Sequence, residues 1–167
     1  MEGFEIISVY AGWFEFKFRN HGNEILLSCS NIFRYDISLS LLKTINEMFH
    51  QETCIKLICC MDEMSAYILK FSKHSHEIQI IVGEAYKNSN KISSNPEALE
   101  NESVKKVMFE GSYVFKEFAN SIFKAFELYS SGKNLNIYQR QWMPFPQEDF
   151  VKLRNKMLYR YPNTVIW

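Results

Sequence analysis

Aromatic and polar residues alternate near the start of the chain. Over residues 13–19, Phe14, Phe16 and Phe18 fall on one side, with Glu15 and Lys17 on the other. A period of two sends successive side chains to opposite faces, so this stretch predicts a half-buried strand. A β-rich run over 4–10 precedes it and ends at the turn-prone pair Ala11-Gly12. Asn20-His21-Gly22-Asn23 is a second turn. Residues 24–30 return with Ile25, Leu27 and Cys29 on one face. The first thirty residues therefore read as an antiparallel meander.

The period then changes. Leu41, Leu42, Ile45, Met48 and Phe49 recur at helical spacing, with Lys43, Asn46 and Glu47 expected outside. Asp36 stands where an N-cap belongs, which places a helix over about 37–50. Three further strands are expected at 54–60, at 65–71 with Tyr67, Leu69 and Phe71 together, and at 77–83 with Ile78, Ile80 and Val82 together. Lys73-His74-Ser75-His76 reads as the polar turn between the last two. Residues 87–103 are polar and small, a surface loop in which Pro96 suits the first turn of a short helix over 97–101. Residues 104–109 add one more strand candidate.

Phe115, Phe118, Ala119, Ile122, Phe126 and Tyr129 share one face of the strongest helical pattern, 112–129, and Gly132 suits its C-terminal stop. Residues 134–143 fit no single pattern. Pro144-Phe145-Pro146 breaks any element, and 147–159 reads as a last amphipathic helix. The tail Val165-Ile166-Trp167 is expected to pack back or to extend a sheet edge. Strands come in runs and do not alternate with helices. That favours an α+β domain spanning 1–167: an antiparallel β-sheet of about five to seven strands with three main helices packed on it.

Charge changes the picture little in total and more in distribution. The chain of 167 residues carries 19 basic and 19 acidic groups. Nucleic-acid binding by a general basic surface loses weight accordingly. Residues 1–63 hold five basic and nine acidic groups, while 111–167 hold eight and four, so an acidic and a basic face are both available. Cys29, Cys54, Cys59 and Cys60 sit in apolar runs without a C-x-x-C spacing. Buried free thiols in a reducing compartment are expected. The N-terminal residues lack the pattern of a signal peptide, and no apolar run reaches the ~20 residues of a membrane helix.

Reaction chemistry is sparse. The six glycines are scattered and form no phosphate loop, and no nucleophile elbow or H-E-x-x-H is present. His74 and His76 could share a metal with Glu77 if they lay on one strand, but a third ligand of telling spacing is missing, so they read as surface residues. His50 and Cys54 are four residues apart across a helix end, a weak basis for a thiolate-imidazole pair. Asp62 and Glu63 are adjacent carboxylates at a turn. They suit a solvated turn, or an acidic contact patch, better than an acid/base pair. Tyr138, Arg140 and Trp142 interleave aromatics with a cation, as base-stacking surfaces do, although after a buried helix they fit a core better. Lys152, Arg154, Lys156 and Arg160 read as the solvated face of the last helix.

The order of features resembles small immunity proteins of bacterial contact-dependent growth inhibition and related polymorphic toxin systems. The likeness is one of layout over most of the chain. A strand meander is followed by Tyr35-Asp36-Ile37-Ser38-Leu39-Ser40-Leu41-Leu42-Lys43, then Met61-Asp62-Glu63-Met64 and the paired strands 66–71 and 77–82. The phenylalanine-rich helix and Trp142-Met143-Pro144-Phe145-Pro146, leading into a last helix, complete it. Where many such proteins carry Glu-Pro before the paired strands, this chain has Asp62-Glu63-Met64. The resemblance implies a cytoplasmic antidote, without catalysis or cofactor, that binds one cognate toxin domain, often a nuclease. It implies neither a nucleic-acid nor a membrane partner. A nuclease site that holds phosphates is basic, so the blocking surface is expected to be acidic. Asp62, Glu63 and Glu84 are the expected carboxylates, with Tyr86 as an aromatic anchor. A nucleic-acid-binding regulator and an enzyme of unrecognised type are the alternative readings.

Overall fold

Two-residue hairpins set the first layer. Ala11 and Gly12 have φ of 46° and 86°, and His21 and Gly22 have φ of 47° and 82°. Paired left-handed residues match the right-handed twist of flanking strands, which is why such short loops close hairpins. In this computed structural model, which describes residues 2–63, 65–85 and 106–160, those turns join β1 (Gly3–Tyr10), β2 (Trp13–Asn20) and β3 (Asn23–Ser30). They form an antiparallel sheet in the order β1-β2-β3. Phe14, Phe16 and Phe18 all project from β2 into the core and are fully buried.

A second antiparallel sheet has the order β4-β5-β6-β7. Its strands are β4 (Thr53–Met61), β5 (Ala66–His74), β6 (Glu77–Glu84) and β7 (Lys106–Val114). The seven strands of this α+β fold thus lie in two sheets, one for each meander. β5 is longer than its alternation suggests. Only Ser75 and His76 form the turn, and Lys73, expected in it, is a strand residue opposite Cys54 and Ile78. The ladder with β6 also claims Ser112, Tyr113 and Val114, which the helical pattern had included.

Among the described residues four helices complete the fold: α1 (Ile37–Met48), α2 (Phe115–Glu127), α3 (Gly132–Gln141) and α4 (Gln147–Arg160). The helix beyond the three expected is α3, the segment that fitted no pattern, because it buries only Tyr138. Gly132, expected as a stop, opens α3 with φ of 61°. Asp36 caps α1, accepting from the Ser38 and Leu39 N–H groups at 3.0 and 3.2 Å. Asn46, expected outside, is buried between α1 and α4, where its Nδ2 donates to the Asp149 carbonyl at 2.8 Å. Lys156 of α4 donates to the Asn46 carbonyl at 2.6 Å. The pattern of α1 alone could not show that a second helix lies over that face.

One core cluster draws side chains from both sheets and from all four helices. Phe18 is its junction. Its ring lies 6.3 Å from Phe71 of β5, 6.3 Å from Phe109 of β7 and 6.2 Å from Phe118 of α2. β1 docks on α2 through Ser121, whose Oγ accepts from the Phe4 N–H at 2.9 Å and donates to the Phe118 carbonyl at 2.7 Å. Gly3 is needed there: a Cβ would stand 2.5 Å from the Ser121 Oγ.

The cysteines depart from expectation. Cys29 and Cys60 are paired as a disulfide between β3 and β4, with Cα atoms 5.6 Å apart, a separation such a bond spans. Cys54 is half-buried and Cys59 buried, and neither is in a disulfide. Among the described residues no helix is long and apolar enough to cross a membrane. The polar loop of 87–103, its short helix and the C-terminal tail lie outside the described residues.

Replacing Phe18 removes ring contacts to both sheets and to α2 at once. We expect Phe18→Ala to lose about 3–5 kcal/mol in urea unfolding, the range for buried phenylalanine truncation. Leu26→Ala, at a position 56% exposed on β3, should stay within about 0.5 kcal/mol.

Candidate functional site

The antiparallel register decides where the carboxylates sit. Met61 pairs with Ala66, Tyr67 with Glu84, and Glu84 with Lys106. The β4–β5 turn and the end of β6 therefore lie at the same end of the second sheet. Asp62, Glu63 and Glu84 are brought to that end together. Tyr86 and Met64 lie outside the described residues.

The three carboxylates are not equivalent. Asp62 is half-buried and closes the turn. Its N–H donates to the Ser65 carbonyl at 3.0 Å, and its carboxylate accepts from the Ser65 N–H. Glu63 and Glu84 are exposed. Glu84 pairs in register with Lys106 of β7.

An apolar satellite lies beside them. Met61, Ala66 and Ala85 flank the turn and cluster with Cys59 and Ile68; Phe33, Tyr35 and Leu57 pack on them while staying half-exposed. The Ala85 N–H donates to the Ala66 carbonyl at 2.9 Å, which ties the end of β6 to this patch. Phe33 belongs to a 3₁₀ turn, Asn31–Phe33, capped by Ser30, and Ile32 beside it is 66% exposed. Half-buried aromatics rimmed by carboxylates have the composition of a protein-contact surface. The carboxylates were visible in the sequence. Phe33 and Tyr35 were not singled out, although two aromatics in a short non-periodic stretch are the available signal.

The other sequence candidates separate. His74 ends β5, with Nδ1 3.2 Å from the Thr53 Oγ1, whereas His76 lies in the turn and gives its carbonyl to the Phe115 N–H at 2.7 Å. The two imidazoles are therefore not neighbours on one strand face. Among the described residues no group of three or more His, Cys, Asp or Glu is placed to hold a metal ion. Burial pushes the Cys54 thiol up from its ordinary range, against the opposing pull of Lys73 and Lys56. A reactive thiolate needs the opposite shift.

Tyr138 and Trp142 are buried in the core and Arg140 is exposed, so the three form no stacking surface. Tyr138 donates to the Ser38 Oγ at 2.5 Å, and Trp142 Nε1 donates to the Asp36 carboxylate at 3.2 Å. Burial first, and the Asp36 charge second, hold the Tyr138 phenol well above its usual value. On α4, Lys152 pairs with Glu148 at 2.7 Å along the exposed helix surface.

Asp62 and Glu63 can be told apart by stability. Asp62→Ala removes the acceptor that closes the β4–β5 turn and should cost about 1–2 kcal/mol in thermal unfolding. Glu63→Ala should change stability by no more than about 0.5 kcal/mol. Comparison with known protein families, with curated proteins and with solved structures finds no match to this chain.

Proposed function

We propose that this chain is an immunity protein, a cytoplasmic antidote that binds a cognate toxin domain and blocks its active site. A nuclease is the toxin chemistry that suits it. The reading rests on the gathering of Asp62, Glu63 and Glu84 at one end of the second sheet, beside the half-buried Phe33, Tyr35 and Leu57. An enzyme that holds phosphates presents cations, and a carboxylate-rimmed patch complements them. The aromatic and aliphatic centre supplies desolvated contact area, and the exposed carboxylates speed and orient encounter. The antidote inhibits by occupancy and needs no reacting group of its own.

The resemblance in layout supports the same reading. The alternative of a nucleic-acid-binding regulator drew on the basic C-terminal third and on Tyr138, Arg140 and Trp142, and of these Tyr138 and Trp142 face the core. Cytoplasmic placement belongs to the proposal. A reducing cytosol disfavours most disulfides, and the Cys29–Cys60 pair is buried at 2% and 0% exposure, away from solvent reductant.

The test is co-expression with the C-terminal domain encoded by the gene immediately upstream. Growth should be restored, and the two chains should elute together on a sizing column. The double variant Glu63→Lys/Glu84→Lys should weaken the complex by about tenfold or more at low salt, with the gap narrowing as salt rises. A toxic upstream domain that is neither rescued nor bound would refute the reading. Unchanged affinity in the folded double variant would remove these carboxylates from the interface.

A further inference from the structure

The bond between the two sheets joins the segments that make up the proposed toxin face. Cys29 and Cys60, 31 residues apart in sequence, are the bonded pair. Cys29 is followed by Ser30, whose Oγ accepts from the Ile32 N–H at 3.4 Å and caps the turn that carries Phe33. Cys60 is followed by Met61 and by Asp62, which closes the β4–β5 turn through Ser65. Each cysteine thus lies directly beside one half of the face, 30–35 or 61–66.

β3 and β4 belong to different sheets and share no ladder. Beside the bond, Phe33 and Tyr35 pack on the satellite that contains Met61 and Ala66. Contacts between half-exposed side chains open locally at modest cost. A covalent link between the strand ends permits no such separation. Cys60 Sγ also lies 3.6 Å from the Ser28 carbonyl, a contact that a free thiol can keep as donor, so the fold does not depend on the bond. Neither other thiol can stand in. Cys59 points into the satellite, on the opposite side of β4 from Cys60. Cys54 lies about 20 Å back along β4.

We propose that Cys29 and Cys60 form a redox clamp on this face. Oxidised, the pair fixes 30–35 against 61–66. Reduced, the two halves separate more often, and the face binds its partner less tightly because ordering it costs more. The oxidant is hydrogen peroxide, which is small enough to enter a buried seam. It converts one thiol to a sulfenic acid and leaves as water. The second thiol then attacks that sulfur; the S–S bond forms, and the sulfenic oxygen departs with the thiol proton as a second water. A dithiol reductant reverses the step, ending as its own disulfide and returning two thiols. Burial of both sulfurs keeps large reductants off until the seam opens, so the state once set persists. The effect on affinity rests on the toxin-binding reading, whereas the clamp itself is a property of the free chain.

The full chain, treated with hydrogen peroxide or refolded in dithiothreitol, tests this. Peptide mass mapping after alkylation should find Cys29 joined to Cys60 in the first sample and both alkylated in the second. Hydrogen exchange of the free chain should be about tenfold slower at 30–35 and 61–66 when oxidised, with α4 unchanged. Cys29→Ala should exchange like the reduced chain with or without peroxide. The cognate toxin domain should bind the oxidised chain about tenfold more tightly. A pair that peroxide does not join overturns the proposal. So does equal exchange in the two states, and so does equal toxin affinity. A toxin domain that binds neither state, while exchange still differs between them, refutes the toxin reading alone and upholds the clamp.

Discussion

The packing of Phe18 is the constraint on which the two sheets depend. They are separate hydrogen-bonded units, so their relative placement comes from side chains. The Phe18 ring meets β5, β7 and α2 together. Two further ties support it. The Asn20 Nδ2 donates to the Ser112 carbonyl at 2.8 Å, and Cys29 meets Cys60. Close packing is short-ranged, and interiors respond to the loss of a single group. A shift at Phe18 would therefore reach β7 and the start of α2.

A polar chain fixes the connection 31–36. Asp36 caps α1 and accepts from Trp142, while Ser38 receives the Tyr138 hydroxyl and donates to Asp36. The β1–β2 turn joins in, because the Gly12 N–H donates to the Gln141 carbonyl at 2.7 Å and the Asn31 N–H to the Gly12 carbonyl at 2.9 Å. Connection 31–36 is thereby held at both ends. It carries Phe33 and Tyr35, the aromatic part of the proposed toxin face. Buried polar groups that are mutually satisfied specify one arrangement, whereas apolar contacts alone tolerate several. The residues that orient the surface are thus distant from it in sequence.

Periodicity made most elements legible. Strict alternation located β2, β5 and β6, and the Asp36 cap with its apolar stripe located α1. Misreadings arose where a partner decided the matter. Lys73 looked like a turn residue, because lysine followed by His-Ser-His is polar; pairing with Cys54 and Ile78 keeps it in β5. Ser112 and Tyr113 fitted a helical window, but the ladder with β6 holds them. Asn46 was placed outside because nothing in α1 announces α4. The division into two sheets and the meeting of Cys29 with Cys60 depend on packing between segments 31 residues apart, which no local pattern records. At the candidate face, charge was readable and position was not. Asp62 proves to be a turn closure.

The central claim is that the acidic end of the second sheet is the toxin-binding face. Hydrogen exchange on the complex with its cognate toxin domain tests it most directly, because exchange slows where backbone is covered or stabilised. The account predicts slowed exchange at 31–35, 61–67 and 84–85, with little change in α4. Protection confined to α4 or to the edge of the first sheet, with exchange at 61–67 unaltered, would contradict it.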